Sequence, residues 1–313
     1  MHKRIHAVLA TTFGLLAAAC GGDTAGVQDS GASQDAAIDV GSTADAAVPD
    51  DSGTPETGTP DAGTPDSGPD SSSFSVKNVP GLVLWLDGSQ GVTSDVNGSV
   101  SKWADQSGNA NDAVQLTAGL RPTLVAQSIN GKPAIHFTTN ASNTPFPHLT
   151  VPDATTLRLG TGDFYITCVV KWSNANSGPL GAVFTKQDVA GPFAGYALYM
   201  NYPTAGHAGG QLDQNTNIGS TAAALNDGLP RQYGLARFSN TASVRVSGAS
   251  SGTLPNTNVT ADAVGVPLSI GGRAPDGLHP LLGDVAELIV VKGAISGSNL
   301  TAIEAYLQSK YAL

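Results

Sequence analysis

Oxygen-bearing side chains are concentrated in the stretch WADQSGNANDA, residues 103–113. Asp105, Asn109 and Asp112 offer hard oxygen ligands that suit Ca²⁺, although their order differs from the D-x-[DN]-x-[DN]-G loop and no bidentate acid follows. The alternative needs no ion, because Asp, Asn and Ser side chains bond neighbouring backbone amides and Gly108 tolerates a positive φ. The stretch therefore predicts one of two structures: a compound turn, or a site that binds calcium or another ligand. The protein is expected to require no cofactor, and calcium is a possible ligand.

A second group of candidate residues follows in YMNYPTAGHAGGQLDQNTN, residues 199–217. Sugar binding needs aromatic faces together with amide and carboxylate groups on exposed loops, and this Gly-rich segment supplies them. The predicted ligand-binding residues are Tyr202, His207, Asp213, Asn215 and Asn217. Since any soluble β-sandwich has loops of this composition, solvent-facing filler is the competing interpretation.

Glu287 is a further candidate for ligand binding. In VAELIV, strand alternation predicts that it shares a face with Val285 and Ile289, opposite Asp284 and Leu288. It is either a carboxylate that projects onto a ligand-binding sheet or a half-buried acid paired with an arginine, because buried charges are normally paired. The candidate arginines are Arg237, Arg245 and Arg273.

The remaining motifs predict no catalytic residue. GASSG, residues 248–252, matches G-x-S-x-G, but a nucleophile elbow needs a helix after the serine and TLPN follows, so a turn is expected. Cys168, within the apolar run YITCVV, is expected to be a small core residue. The histidines after the linker show no metal-type spacing, and His136 is expected to be a strand residue rather than a base.

Short β-type runs separated by Gly, Asn, Asp and Pro must position these residues. The predicted strands cover residues 82–86, 134–138, 164–172, 195–202, 232–238, 243–247, 267–271 and 283–292. One helix is predicted after the N-cap residue Ser296, with Leu300, Ile303 and Leu307 on one face. Many short strands with turn signals between them favour an all-β sandwich or barrel in a single domain, residues 74–313.

The first 73 residues differ in composition from this domain. Residues 1–20 have a basic start, an apolar run too short to span a bilayer and small residues at the end, as an export signal does. Residues 21–73 contain no aromatic residue, Lys or Arg and carry eleven of the 25 acidic residues, which predicts a disordered acidic linker. The domain itself is left nearly neutral and lacks the clustered Lys and Arg that nucleic-acid binding needs.

The sequence LLAAAC at the end of the export signal resembles a bacterial lipobox, in which a peptidase cuts before a cysteine that is then diacylated. That resemblance implies a lipidated Cys20, attachment to the membrane through the lipid alone, and placement at the outer membrane or cell surface. Ala17 stands where the lipobox prefers Leu. Because AAA also satisfies the ordinary small-x-small cleavage rule, a secreted product is the alternative.

The order of segments in the domain is similar to that of the LamG-like jelly rolls of the concanavalin A-like lectin/glucanase superfamily. The similarity runs through GLVLWLDGSQGV, VSKWADQSGNANDA, INGKPAIHF, GDFYITCVVKW, LSIGG and LLGDVAELIVVKGAIS, and so covers nearly all of residues 80–313. It implies an all-β fold, a two-sheet antiparallel jelly-roll sandwich with one short C-terminal helix. Ligands are usually held on the concave sheet or at the rim loops, and some members bind calcium at the rim.

The function predicted from these features is a non-catalytic binding module that is exported and lipid-anchored and recognises a glycan or an extracellular protein. The superfamily's glucanases carry Glu-x-Asp-x-x-Glu on one strand, and this pattern is absent here. Two alternatives stay open because fold does not fix function. One is a polysaccharide-acting hydrolase with an atypical pair, such as Glu287 with an aspartate; the other is a purely structural envelope module.

Overall fold

Seventeen strands and one α-helix make up most of the regular structure of residues 74–138, 145–173, 180–255 and 257–313, which are the residues that this computed structural model describes. The strands are β1 (Leu82–Asp87), β2 (Val92–Ser94), β3 (Val100–Trp103), β4 (Ala113–Val114), β5 (Thr123–Ile129), β6 (Lys132–Phe137), β7 (Leu149–Val151), β8 (Phe164–Ser173), β9 (Gly181–Gln187), β10 (Gly195–Met200), β11 (Ala208–Gln211), β12 (Asn217–Gly219), β13 (Asp227–Phe238), β14 (Thr241–Val246), β15 (Ala249–Leu254), β16 (Leu268–Ile270) and β17 (Gly283–Lys292). The helix is α1 (Gly297–Tyr311), and short 3-10 turns cover Val76–Asn78, Ala118–Leu120 and Thr155–Leu157. The predicted signal peptide, Cys20 and the linker lie outside the described residues.

The strands form two antiparallel sheets. The first sheet has the order β15-β14-β13-β8-β17-β6-β5, with β1 also paired to β17. The second sheet has the order β12-β11-β10-β9-β16-β7-β4-β3-β2. Hairpins of consecutive strands are joined in each sheet by pairings between strands far apart in the chain, such as β8 with β17 and β9 with β16, so long connections must close before either sheet is complete.

The main core lies between the two sheets. Alternate residues of the first sheet, such as Ile166, Cys168 and Val170 on β8, point inward and meet Phe184 and Leu198 of the second sheet. Cys168 is a buried free thiol, as the sequence predicted. This architecture confirms the predicted all-β, two-sheet antiparallel sandwich with one short C-terminal helix.

Helix α1 covers part of the outer face of the first sheet. The Ser296 hydroxyl accepts a hydrogen bond from the Asn299 backbone amide (3.2 Å), which confirms Ser296 as the N-cap. Ile303, Leu307 and Tyr311 of α1 are fully buried in a second apolar cluster on that face. In the described part of the chain, no helix has the length and apolar character needed to cross a bilayer.

A β-bulge at Ala286 reverses the alternation of β17. The pairing of β17 with β8 shifts register between Val285 and Glu287. Val285 therefore points into the main core, whereas Ala286 faces the outer cluster with Ile289. The prediction that Glu287 shares a face with Val285 and opposes Asp284 is wrong, because one extra residue in the strand turns both acids to the outer face.

The GASSG segment forms a hairpin rather than a nucleophile elbow. Gly248 lies in the turn with φ 79°, a left-handed value that favours glycine, and β15 begins at the next residue. The segment therefore continues as a strand paired to β14, where a hydrolase elbow needs a helix. The sequence prediction of a turn is therefore confirmed for Gly248 alone, and the other four residues of the segment are in a strand.

Candidate binding face

The outer face of the second sheet at β9 to β12 is a candidate binding surface. On β10, Tyr196 and Leu198 point into the main core, whereas Ala197 and Tyr199 belong to a separate cluster on the opposite side of the sheet. Polar and aromatic side chains surround this outer cluster. Because a paired sheet holds their backbone, these groups are positioned more exactly than groups on a free loop.

A chain of hydrogen bonds crosses this face, and we call its members Tyr199, Gln187, Gln211 and Asn217 the amide relay. The Tyr199 hydroxyl donates to Gln187 Oε1 (2.7 Å), and Gln187 Nε2 donates to Gln211 Oε1 (3.1 Å). Gln211 Nε2 then donates to Asn217 Oδ1 (2.8 Å). Strand β10 lies between β9 and β11, and on it Gly195 pairs with Gln187 and Ala197 pairs with Gln211.

Arg273 supports the buried end of the relay. Its Nη1 lies 3.4 Å from the Tyr199 hydroxyl, its Nη2 lies 2.7 Å from Asp276 Oδ2, and its guanidinium lies 5.4 Å from the centre of the Phe193 ring. Burial disfavours the charged guanidinium, but the interactions with Asp276 and Tyr199 together outweigh burial and raise the pKa of Arg273. A fixed positive charge therefore lies just beneath the face.

Aromatic rings form one edge of the face. The ring of Tyr199 lies 5.7 Å from that of Tyr202 and 5.8 Å from that of His279, centre to centre. Burial, assisted by the nearby charge of Arg273, lowers the pKa of His279, so its imidazole is neutral at physiological pH and keeps an acceptor nitrogen. Tyr202 and His279 are half-buried, so parts of both rings face solvent.

The outer members of the relay retain hydrogen-bonding capacity. Gln211 is half-buried and Asn217 is exposed. Each side-chain nitrogen carries two N–H groups, and in the described part of the chain each makes one hydrogen bond, Gln211 to Asn217 and Asn217 to the Gln214 carbonyl. One N–H of each amide is thus available to a ligand on the same sheet face as the half-buried aromatic rings, and the two kinds of group suit sugar hydroxyls and apolar ring faces.

The structure brings some of the predicted loop residues to this face. Tyr202 forms part of the aromatic edge, and Asn217 ends the relay. Asp213 and Asn215 lie in the turn between β11 and β12, next to Asn217. There Asp213 Oδ1 accepts hydrogen bonds from the backbone amides of Asn215 (2.9 Å) and Thr216 (2.6 Å), so it shapes the turn.

His207 lies beside Tyr202, whose backbone amide donates to the His207 carbonyl oxygen (3.2 Å), but away from Asp213. It precedes β11, whereas the Asp213 turn follows that strand, so the two positions lie at opposite ends of the hairpin. Its Nδ1 lies 2.8 Å from the Ser220 carbonyl oxygen, beyond the end of β12. Sequence proximity grouped His207 with Asp213, but a chain that reverses direction separates them.

Sequence reasoning missed Gln187 and Gln211, and considered Arg273 only as a partner for Glu287. Gln187 ends a strand whose residues are all buried, and Gln211 follows two glycines. A polar residue at the end of an apolar strand is the one local signal available. Their approach to each other depends on the pairing of β9, β10 and β11, which a single sequence does not specify.

Glu287 lies outside this face, and its burial argues against the predicted role in ligand binding. Its side chain is fully buried, where Oε1 accepts from Trp85 Nε1 (2.7 Å) and Oε2 accepts from Lys310 Nζ (2.7 Å) and the Tyr311 hydroxyl (2.9 Å). Burial raises the pKa of Glu287, and Lys310 opposes that rise.

The alternative interpretation of Glu287 was right about burial and wrong about the partner. The cation is Lys310, which also pairs with Asp87 at 2.8 Å. Each candidate arginine is engaged elsewhere: Arg237 with backbone carbonyls, Arg245 with Glu304 and Arg273 with Asp276. A hydrolase centred on Glu287 would need this buried carboxylate to reach substrate, and the packing does not allow it.

The stretch 103–113 is held by its own side chains. Asp105 Oδ1 accepts from the backbone amides of Trp85 (2.9 Å) and Ser107 (2.8 Å), and its Oδ2 accepts from the Ser107 hydroxyl (2.7 Å) and the Asn111 amide (3.0 Å). All four acceptor positions of this carboxylate are therefore used.

The other two predicted calcium ligands are also engaged. Asp112 pairs with Lys102 at 2.5 Å and accepts from the Asp105 amide, and Asn109 Nδ2 donates to the Leu82 carbonyl (3.2 Å). Across the described ranges, no group of three or more His, Cys, Asp or Glu is placed to hold a metal ion. The contacts favour the turn, and calcium binding here stays a prediction.

No protein-family model and no curated protein matches this sequence. Solved structures are similar in fold. They include the binding domain of Paraclostridial Mosquitocidal Protein 1 (12% identity, TM-score 0.54, covering 74% of this chain and 53% of that chain). The binding domain of Botulinum neurotoxin DC in complex with rat synaptotagmin II has 11% identity and a TM-score of 0.51, over 75% of this chain and 53% of that chain. Domain 4 of AbnA, a GH43 extracellular arabinanase from Geobacillus stearothermophilus, in complex with arabinotriose, has 11% identity and a TM-score of 0.50, over 72% of this chain and 99% of that chain.

These similarities place the fold in the class of two-sheet β-sandwiches. The chain spans about half the length of the two toxin chains and matches nearly all of the AbnA domain. At such low identities the likeness extends to the fold alone, and membership of the LamG-like family stays a prediction.

Proposed function

We propose that this protein is an exported, lipid-anchored binding module that recognises a glycan outside the cell through the outer face of its second sheet. The observation that carries the proposal is the amide relay beside half-buried aromatic rings. The relay is fixed from beneath by buried groups, so its two outer amides are ordered before a ligand arrives, which lowers the entropy cost of binding. The proposal includes no catalytic step.

The chemistry of the face favours a neutral sugar. Gln211 and Asn217 present amide groups, and His279 presents a neutral imidazole. The charge of Arg273 is compensated by Asp276 at 2.7 Å. Hydroxyl groups, which both donate and accept hydrogen bonds, match this set better than a strongly charged ligand does.

The test is retention of the full chain on a panel of polysaccharides, among them arabinan, xylan and chitin. The chain carries Cys20→Ser, so that a lipid cannot drive retention. Retention on one polymer is expected to weaken about tenfold in Gln211→Ala and in Asn217→Ala, because each removes about 1.4 kcal/mol of hydrogen bonding. The matched control is Gln127→Ala, an exposed glutamine on β5 of the first sheet, which should bind like the parent.

Two results would contradict this account. Equal retention of all variants would move binding to another surface. Absence of retention on every polymer would remove the glycan and leave a protein-binding or structural module as the better explanation.

Calcium is tested in the same assay by adding EDTA. We expect retention to be unchanged, because the carboxylate of Asp105 is already saturated by protein donors. If EDTA abolishes retention, the stretch 103–113 is a calcium site and the chain is a calcium-dependent lectin.

A further inference from the structure

A row of polar side chains crosses the first sheet beyond the part that α1 covers. Lys171 on β8 pairs with Asp284 on β17, and Asp284 pairs with His136 on β6. Their strand neighbours Val170 and Val285 point into the main core, so the three polar side chains point outward. We call Lys171, Asp284 and His136 the polar row.

Hydrogen bonds fix the orientation of the histidine. His136 Nδ1 lies 2.6 Å from Asp284 Oδ1, and the Ser128 hydroxyl donates to Asp284 Oδ2 (2.7 Å). A carboxylate that accepts from Nδ1–H selects the tautomer and leaves Nε2 free. Since the His136 side chain is 37% exposed, Nε2 is accessible to a small ligand.

Lys171 has unused capacity. Its Nζ donates to the Ser128 carbonyl oxygen at 3.3 Å, which uses one of three N–H groups. Within the described ranges it forms no ion pair with a carboxylate, unlike Lys102, Lys186 and Lys310. An unpaired ammonium beside an orientated imidazole is an arrangement that favours an anion.

A cavity of about 170 Å³ lies at the polar row. It is lined by His136, Lys171, Ser173, Gly228, Leu282, Gly283 and Asp284. The donors that line it are the imidazole, the ammonium and the Ser173 hydroxyl. The volume admits a carboxylate with a small group attached to it, and the donors come from two strands of one sheet.

The charged groups near His136 lie on strands β17, β8 and β13. The hydrogen bond that His136 donates to Asp284 raises the pKa of His136, while burial and Lys171 oppose the rise. On β13, Asp227 and Arg231 compensate each other at 2.6 Å, and the nearby β5 residue Ser128 is uncharged. With His136 protonated, the row therefore holds two positive charges against one carboxylate.

We propose that this cavity is a binding site for a small carboxylate anion, held by His136 Nε2, Lys171 Nζ and the Ser173 hydroxyl. The site is separate from the proposed sugar-binding face, because it lies on the outer face of the other sheet. Binding is tightest when the imidazole is protonated and weakens when it becomes neutral. A free organic acid and the carboxylate of an acidic sugar present the same group to it.

The test is an NMR titration of the full chain with acetate and, separately, with glucuronate, monitored at the Gly228 and Gly283 backbone amides that line the cavity. We expect saturable shifts at pH of about 5.5 and at least about fivefold weaker binding at pH of about 8.5, where the imidazole is neutral.

Lys171→Met is expected to weaken binding about tenfold, as loss of one charge-assisted hydrogen bond does. Lys132→Met, which removes an exposed lysine of the same strand as His136, should bind like the parent.

The variant His136→Gln tests whether the pH dependence of anion binding comes from protonation of His136 rather than from the shape of its side chain. Glutamine can still donate to Asp284 but does not titrate, so this variant should bind weakly and equally at both pH values. Tighter binding of glucuronate than acetate would identify a sugar carboxylate as the ligand, and equal binding would identify a free acid. Absence of saturable shifts with both anions, or equal shifts in Lys171→Met and the parent, would overturn the proposal.

Discussion

Lys310 neutralises two buried acids, Asp87 and Glu287. Glu287 is fully buried and the Asp87 side chain is 2% exposed, yet both lie within 3 Å of the Lys310 ammonium. Burial disfavours the charged ammonium, but the two carboxylates outweigh it and raise the pKa of Lys310. The rings of Tyr306 and Tyr311, at 5.3 and 5.2 Å, complete its surroundings.

Lys310→Met is expected to lower the free energy of unfolding by about 3 to 5 kcal/mol, because removing one partner leaves buried charge uncompensated. Denaturant unfolding of the full chain measures the loss. Lys77→Met is the control, since Lys77 is exposed, and its effect should stay within about 0.5 kcal/mol. A similar loss in the two variants would show that Lys310 contributes no more than a surface lysine.

Helix α1 packs on the outer face of the first sheet and forms a second apolar cluster with it. Its buried residues Ile303, Leu307 and Tyr311 pack on Val169 and Ile289 of the sheet. The chain enters the helix through the extended N-cap Ser296, so the position of its first turn depends on this residue.

Ser296→Ala is expected to destabilise the protein by about 1 kcal/mol, because the Asn299 amide loses its acceptor at the helix start. The shift of the urea midpoint reports it. Ser309→Ala, an exposed position within the same helix, should be neutral or slightly stabilising since alanine has the higher helix propensity. A loss in Ser309→Ala as large as that in Ser296→Ala would argue against a capping effect.

At the scale of the whole molecule, the two sheets touch along one edge where β15 meets β12. The Thr221 amide donates to the Ser251 carbonyl, and the Ala222 amide donates to the Ser251 hydroxyl (3.0 Å). Next to these bonds, the two backbones approach so closely that a Cβ on Gly252 would collide with the Gly219 carbonyl oxygen. Backbone contact therefore closes the sandwich on this side.

Gly252→Ala is expected to cost about 1 to 3 kcal/mol, as overpacking between backbones does. Gly119→Ala is the matched control, because a Cβ there meets nothing within 4 Å. It should be neutral or stabilise by up to about 1 kcal/mol through loss of unfolded-chain entropy. Thermal unfolding distinguishes the two, and equal melting temperatures would contradict the close approach of the sheets.

The proposed membrane attachment also belongs to the whole molecule, and the proposal assigns it to Cys20. In a bacterial host that labels lipoproteins with palmitate, Cys20→Ser is expected to lose the label and leave the membrane fraction, because no other residue is proposed to carry the lipid. Cys168→Ala should keep the label, since Cys168 is fully buried in the main core. A labelled Cys20→Ser protein would refute the lipid anchor.

Sequence alone predicted the elements whose patterns are local. The strand at 283–292 has its predicted bounds, and the helix after Ser296 has its predicted cap and buried face. Alternation and capping are decided by nearest neighbours in the chain, so a single sequence contains them. Very short strands such as β4 and β12 were missed, because two or three residues carry too little periodicity.

The tertiary structure alone decided which residues meet. A bulge at Ala286 turned Glu287 toward Lys310, and strand pairing joined Gln187 to Gln211 and His136 to Asp284. These partners are separated by 23, 24 and 148 residues. The sequence by itself determined that the domain is all-β with one C-terminal helix, because strand alternation and helix capping are local; it left the stretch 103–113 open between a turn and a calcium site. The candidate sites depended on long-range register, in which a shift of one residue turns every side chain to the other face of the sheet.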